Sequence, residues 1–130
     1  MRNAIMARSA AAIGPYSHGV ISISGYAYLS GQTPLDPVTG RLVTGDVGAQ
    51  TTQCLNNLES VLREAGLTFD DVVKCNVYLT DMADFEDMNS AYAQRFKQPF
   101  PARTTIGVAA LPANASVEIE MIAQIPSAPR

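Results

Sequence analysis

The sequence predicts an α+β fold in one domain over residues 1–130. The length is that of one ordinary domain, and a composition of 47% hydrophobic and 16% charged residues provides enough apolar surface for a substantial core. Two segments have helical periodicity, and the other apolar segments alternate as strands do. Because two helices are too few to follow every strand, the pattern favours a mixed or mainly antiparallel sheet over a doubly wound one.

The expected order of elements is β-β-short β-α-β-α-β-β. Residues 1–12 are interpreted as the start of the first strand. Residues 20–24 and 26–30 are rich in β-branched and aromatic residues and flank Gly25, which predicts a hairpin. An irregular loop is expected to follow over residues 34–45, which contain several prolines and glycines.

The first helix is expected to begin after Asp46, a favourable N-cap, and to stop at Gly66. Its buried face is predicted from apolar residues at helical spacing, namely Cys54, Leu58, Val61, Leu62 and Ala65. From residue 73 the period changes to two, which predicts a strand with one buried face. That face consists of Val73, Cys75, Val77 and Leu79.

Asp84 is expected to cap a second helix, which Pro99 and Pro101 terminate. One face of this helix carries Phe85, Met88, Tyr92 and Phe96. Strands are predicted at residues 103–108 and 117–125, with a turn at residues 111–114 between them. If that turn makes a hairpin, the strand with Glu118 and Glu120 lies beside the strand of Arg103.

Charge and hydropathy exclude several classes of protein. The formal net charge is −3 and the isoelectric point is about 4.9, so no overall positive field attracts nucleic acid or an anionic membrane, and we expect neither as a partner. The apolar stretches are far shorter than the roughly 20 residues of a transmembrane helix. Cys54 and Cys75 belong to no CxxC pair and are expected to be buried thiols of a cytoplasmic protein.

The inventory of reactive side chains is short. His18 is the only histidine, and the chain has no G-x-S-x-G motif, which argues against a serine hydrolase triad. Lys74 and Lys97 are expected to face solvent, which argues against a Schiff base with pyridoxal phosphate. The chain also has no Walker loop and no G-x-G-x-x-G motif, which argues against nucleotide-phosphate chemistry, and its cysteines have no histidine at metal-ligand spacing.

Arg103 is a candidate for carboxylate binding. It follows Pro101 and Ala102 at the entrance to a strand and has no charged neighbours in sequence. A guanidinium held there matches a carboxylate with two parallel hydrogen bonds, which lysine cannot reproduce. The alternative is a salt bridge at the surface or at an interface.

Two carboxylates on the last strand are further candidates. Glu118 and Glu120 lie two residues apart and therefore share a strand face. One of them could pair with an arginine while the other handles a proton or a water. The alternative is a pair of solvated acids on an exposed face. The segments Gly14–Tyr16 and Ser30–Gln32 add hydroxyl groups beside glycine, although each by itself is also typical of an ordinary turn.

These segments together resemble the RidA/YjgF family of reactive-intermediate deaminases over about residues 12–123. The most specific part is Pro101-Ala102-Arg103-Thr104-Thr105 followed by Val117-Glu118-Ile119-Glu120. Ala12-Ile13-Gly14-Pro15-Tyr16, Leu29-Ser30-Gly31-Gln32 and Asp87-Met88-Asn89-Ser90-Ala91-Tyr92 add to it. The resemblance implies a chorismate-mutase-like α+β fold, in which two helices pack on one face of a mixed β-sheet. It also implies a homotrimer with ligand clefts between neighbouring subunits.

The implied activity is cofactor-independent hydrolysis of 2-imino or enamine acids, such as 2-iminobutanoate and 2-iminopropanoate, to 2-oxo acids and ammonia. Arg103 falls on the family's carboxylate-binding arginine and Glu118 on its site glutamate. The positions that fall on the lining of the same cleft are Tyr16, Ser30, Gly31 and Asn89. Thr105 departs from the close RidA members, which have cysteine there.

The sequence leaves two other functions open. The first is a non-catalytic trimer that binds small carboxylates or a protein partner and acts in regulation through the same cleft and Arg103. The second is a deaminase of a larger unsaturated amino acid such as 2-aminomuconate, because Thr105 changes the wall of the cleft.

Overall fold

The computed structural model describes residues 2–10 and 14–127 and has the α+β fold that the sequence predicts. The elements are β1 (Asn3–Ile5), β2 (Gly19–Ile21), β3 (Tyr26–Gln32), α1 (Val47–Glu64), β4 (Val72–Leu79), α2 (Phe85–Ala93), β5 (Ala102–Gly107) and β6 (Val117–Gln124). The strands form one mixed sheet in the order β1-β2-β3-β6-β4-β5. The core lies between the two helices and one face of this sheet.

The hairpin predicted around Gly25 is present. β2 and β3 pair in antiparallel fashion, with Val20 opposite Tyr28, and Gly25 adopts a φ of 93° that favours glycine. The strand predicted in residues 1–12 is short, since β1 covers only Asn3–Ile5. Residues 1, 11 and 12 of that segment lie outside the described residues.

Helix α1 begins and ends as predicted. The side chain of Asp46 accepts a hydrogen bond from the backbone N–H of Ala49 at 2.9 Å, which satisfies one of the free donors of the first turn. Gly66 follows the helix with a φ of 72°, a conformation that glycine adopts without a steric penalty. On the predicted face, Cys54, Leu58, Val61 and Leu62 are fully inaccessible to solvent, and Ala65 is partly buried.

Strand β4 has one buried face, but Val73 does not belong to it. The pairing with β6 shifts register between Val72 and Lys74, so Val72 takes the buried position and Val73 is 38% exposed. This bulge adds one residue to the alternation, which sequence periodicity cannot detect. Cys75, Val77 and Leu79 are buried as predicted, and both cysteines are free thiols.

Asp84 is the N-cap residue of α2 by position, yet the prediction that its side chain caps the helix is wrong. Residues Met82–Asp84 form a 3-10 turn that Asp81 caps, accepting from the N–H of Ala83 at 2.9 Å. Asp84 continues that turn with φ −82° and ψ 0°, instead of the extended backbone that capping side chains need. The helix ends at Ala93, and Phe96 lies beyond it but is still buried.

The predicted hairpin between the last two strands does not form. Among the described residues β5 pairs with β4 alone, in parallel, and β4 pairs with β6 on its other edge in antiparallel fashion. The unit β4-α2-β5 is a crossover that places β5 beside β4. The segment after β5, including the predicted turn at Pro112–Asn114, therefore carries the chain past β4 to reach β6. This topology decides where the candidate residues lie.

Candidate active site

Arg103 lies on the edge strand β5, on the side covered by α2. The carbon of its guanidinium lies 4.8 Å from the centre of the Tyr92 ring and 5.7 Å from that of Phe85. Its Nη1 also lies 4.0 Å from the sulfur of Met88, which is a weak contact. Within residues 2–10 and 14–127 Arg103 has no acidic partner. Aromatic rings therefore hold the guanidinium while its hydrogen-bond donors remain available for a ligand.

Two buried polar atoms without partners lie on the same side of the sheet as this guanidinium. Asn89 and Arg103 line the same cavity of about 290 Å³, and Thr105 projects from β5 on the same side as Arg103. The Oδ1 of Asn89 and the Oγ1 of Thr105 are buried and have no hydrogen-bond partner among the described residues. Since buried polar groups are almost always satisfied in folded proteins, these atoms are available to a ligand, a water or a neighbouring copy.

Glu118 lies on β6 and is half-buried against Gly31. A Cβ atom on Gly31 would lie 2.6 Å from Oε2 of Glu118, so only glycine allows this approach. Gly31 occupies the irregularity in β3 between Leu29 and Gln32. Burial raises the pKa of the Glu118 carboxyl, and the negative charge of Glu120 raises it further. No described residue donates a hydrogen bond to Glu118 or pairs with its charge.

Glu120 differs from Glu118 because it has donors. Its Oε1 accepts a short hydrogen bond from the hydroxyl of Tyr78 and a longer one from Nδ2 of Asn76 at 3.4 Å. The bond to Glu120 is the main reason why the pKa of Tyr78 is raised to about 12. Of the two carboxylates that share a strand face, Glu120 is therefore tied to its neighbours and Glu118 is available for a ligand or a water.

Tyr16 and Ser30 line an open cleft of about 600 Å³ whose other residues are Arg2, Ala4, Pro15, Ser17 and Val20. The Ser30 hydroxyl donates to the backbone carbonyl of Ser17 at 2.7 Å, which fixes the loop that carries Tyr16. The Tyr16 side chain is 39% exposed. Ser30 precedes Gly31, which packs against Glu118, so this cleft lies next to Glu118.

The predicted site residues therefore form two groups within one chain. Strand register places Arg103 beside Cys75, whereas Glu118 lies beside Tyr78. Residues 75 and 78 of β4 face opposite sides of the sheet, because successive residues of a strand alternate. Arg103 groups with Asn89 and Thr105 on the helix side. Glu118 groups with Gly31, Ser30 and Tyr16, and the expectation that it flanks the strand of Arg103 is wrong.

Sequence reasoning missed the aromatic residues around Arg103. The sequence predicts Tyr92 and Phe85 on one face of the second helix, and they contact Arg103 because that face also meets the edge strand. Phe100, which lines the cavity beside Arg103, is 51% exposed. A large aromatic residue between Pro99 and Pro101 is the signal in the sequence that points to it.

The remaining reactive residues have local roles. Nδ1 of His18 accepts from the N–H of Ala7 at 2.9 Å in a buried environment. Lys74 donates to the hydroxyl of Thr104 at 2.8 Å, and Lys97 is exposed as predicted. In the part of the chain that the structure describes, no three His, Cys, Asp or Glu side chains lie close enough to bind a metal ion. No helix there has the length and the apolar character that crossing a membrane requires.

Comparison with known proteins identifies the family. The family model described as Endoribonuclease L-PSP matches residues 6–125. A Bos taurus protein named 2-iminobutanoate/2-iminopropanoate deaminase is 46% identical over 117 residues, which cover 90% of this chain and 85% of that protein. A Lactococcus lactis protein named as a candidate regulator, AldR, is 44% identical over 117 residues, which cover 90% of this chain and 92% of that protein.

The fold matches solved structures of the same group. The crystal structure of a protein of unknown function from the conserved Rid family of Yersinia pestis superposes with a TM-score of 0.91. It is 43% identical in sequence, and the match covers 96% of this chain and 100% of that one. Sequence and fold agree along nearly the whole chain, including the segments with Arg103 and Glu118. This protein belongs to the RidA/YjgF family.

Proposed function

We propose that this protein hydrolyses 2-imino and enamine acids, such as 2-iminobutanoate and 2-iminopropanoate, to 2-oxo acids and ammonia without a cofactor. The observation that carries the proposal is the guanidinium of Arg103, which aromatic rings hold in place and no acid of the described chain neutralises. Such a group is suited to a substrate carboxylate. The similarity to a mammalian protein with this activity in its name supports the proposal.

In this reaction Arg103 binds the substrate carboxylate with two hydrogen bonds and thereby fixes the C=N carbon. Glu118 takes a proton from a water as the water oxygen bonds to that carbon. The C=N electrons pass to the nitrogen of the protonated imine, which gives a neutral carbinolamine. Glu118 returns its proton to that nitrogen, and the C–N bond breaks with its electron pair leaving on ammonia. Glu118 takes up the hydroxyl proton as the C=O bond of the 2-oxo acid forms. A raised pKa suits Glu118 to this role, because it makes the carboxylate a stronger base.

The reaction requires Arg103 and Glu118 to come from neighbouring copies, since they occupy opposite faces of one sheet. We infer a homotrimer in which the helix-free face of one subunit meets the β5 edge of the next. That face carries partly exposed apolar residues suited to such a contact, including Tyr26, Tyr28 and Ile106. The remaining residues that resemble the family's cleft, Tyr16, Ser30, Gly31, Asn89 and Thr105, would line the site from both sides.

A regulatory protein that binds small carboxylates without turning them over is the second candidate. The relative named as a candidate regulator, AldR, favours it. It would use the same guanidinium and the same cavity, but it would need no base. The two candidates therefore differ in the role of Glu118 and agree on that of Arg103.

The experiment is an assay of 2-iminobutanoate, freshly generated by a separate amino-acid-consuming enzyme, in which decay of the imine and release of 2-oxobutanoate are followed. Because imines also hydrolyse in water, the rate is compared with protein-free and Arg103→Ala samples. The proposal requires acceleration by the wild type and loss of that acceleration in the variant. Binding of 2-oxobutanoate without any acceleration would select the regulatory function.

A further inference from the structure

The cavity beside Arg103 has a polar end and an apolar end. Its lining residues are Asn89, Tyr92, Ala93, Phe100, Pro101 and Arg103. Arg103 and Asn89 supply the charged and amide groups, and the other four residues supply aromatic and aliphatic surface. A ligand whose carboxylate contacts Arg103 therefore places the rest of its molecule against Tyr92 and Phe100.

The apolar wall is firmly supported. Tyr92 is only 5% exposed, and its ring lies 4.6 Å from that of Phe96, which in turn contacts Phe69 edge-on at 5.1 Å. Pro99 and Pro101 restrict the backbone conformations of Phe100 between them. Tyr92 is thus held beside Arg103 without needing a ligand to arrange it, and the backbone of Phe100 is restricted, which lowers the entropic cost of binding.

The exposed ring of Phe100 offers more apolar surface than the small imino acids can cover. Phe100 is 51% exposed, whereas Tyr92 is only 5% exposed. The methyl and ethyl groups of 2-iminopropanoate and 2-iminobutanoate would leave most of the exposed Phe100 ring in water. A longer or aromatic side chain would remove that surface from water and gain hydrophobic free energy.

We propose that this cavity binds the substrate side chain and that Phe100 is a specificity-determining residue selecting 2-imino acids with large apolar side chains. The inference rests on the proposed function for its reaction, but the cavity itself can be tested by binding alone. Each methylene group that a pocket recognises changes kcat/KM by about tenfold or more. We therefore expect wild-type kcat/KM to be at least about tenfold higher for the phenylalanine-derived imine than for the alanine-derived one.

The test compares imines generated in place from alanine, 2-aminobutyrate, leucine and phenylalanine by an amino-acid oxidase with catalase. Phe100→Ala removes the wall, and Ala93→Leu fills the cavity from the exposed end of α2. Each should lower kcat/KM about tenfold to a hundredfold for the phenylalanine-derived imine and less than about threefold for the alanine-derived one. Val38→Ala, at a 91% exposed apolar residue in the loop after β3, is the matched control and should change neither value.

A uniform loss with all four substrates in Phe100→Ala, or an unchanged preference in Ala93→Leu, would overturn the assignment. If the wild type turns over no imine at all, the proposed function fails, and calorimetric binding of pyruvate and phenylpyruvate then decides the role of the cavity. Tighter binding of phenylpyruvate that Phe100→Ala abolishes would support the side-chain pocket. Equal affinities for the two 2-oxo acids would refute it.

Discussion

Arg103 and Glu118 project from opposite faces of one sheet, although only strand β4 separates the strands that carry them. No rotation of their side chains brings the two groups into one cleft of the same chain, because the sheet lies between them. A reaction that uses both groups therefore depends on contact between copies, and the first prediction follows from this arrangement.

Two inactive variants should restore activity when their subunits are mixed. Arg103→Ala keeps an intact Glu118, and Glu118→Ala keeps an intact Arg103. The equimolar mixture is unfolded and refolded. Random assembly then gives about a quarter of the sites an intact Arg103 from one subunit and an intact Glu118 from its neighbour. We expect about that fraction of wild-type turnover, measured on trimers isolated by sedimentation. Each variant refolded alone is the control, and a mixture as inactive as both would contradict a shared site.

Lysine should not replace Arg103. Arg103→Lys keeps the positive charge but loses the planar fork and its stacking between Tyr92 and Phe85. We expect a loss of at least about 2–4 kcal/mol of transition-state stabilisation, or about 30-fold to 1,000-fold in kcat/KM. Imine hydrolysis and 2-oxobutanoate binding are measured after circular dichroism confirms the fold. Turnover near that of the wild type would mean that Arg103 supplies only charge or assembly.

The rate should fall in acid as Glu118 takes up a proton. As the base, Glu118 acts only when ionised, and burial and Glu120 both raise its pKa. Lowering the pH through this raised pKa therefore removes activity, and the acid limb of kcat/KM should lie above the ordinary glutamate range. Glu118→Gln should bind 2-oxobutanoate but turn over imine slowly, because an amide accepts no proton.

Glu120 should influence the acid limb of the pH profile of kcat/KM through its charge. Glu120→Gln removes a negative neighbour, so the pKa of Glu118 falls and activity persists to lower pH. The limb should stay above the ordinary range, since burial is the larger cause of the shift. Tyr78→Phe is the matched control, because it removes the hydroxyl that donates to Glu120 but keeps the charge. A limb that moves down equally in both variants would disprove the charge effect.

An alanine at position 31 should disturb Glu118 specifically. The new Cβ would lie 2.6 Å from Oε2 of Glu118, so the carboxylate must move, and we expect turnover to fall about tenfold or more. Gly40→Ala is the control. It strains a backbone with φ of 71° but contacts nothing within 4 Å, and it should cost about 1 kcal/mol of stability with normal activity. Turnover equal to that of the wild type in Gly31→Ala would mean that the position of the Glu118 carboxylate does not matter for the reaction.

Much of the local structure follows from the sequence. The N-cap at Asp46, the stop at Gly66 and the hairpin around Gly25 depend on residues near each other in the chain, whose backbone preferences act locally. Alternation and helical spacing likewise predict most of the buried residues. Val73 and Asp84 depart from the predictions because a bulge and a 3-10 turn change the local geometry by one residue or one turn.

The resemblance of short segments to a family predicts Arg103 and Glu118 as site residues, and the family itself is confirmed. Only the tertiary structure shows that these two residues lie on opposite faces of the sheet. It also shows the aromatic rings beside Arg103 and the hydrogen bonds that distinguish Glu120 from Glu118. Which strands become neighbours, and in which register, is decided by contacts between residues distant in sequence. A shift of one residue in that register turns a side chain to the other face, and no local preference of the chain records the choice.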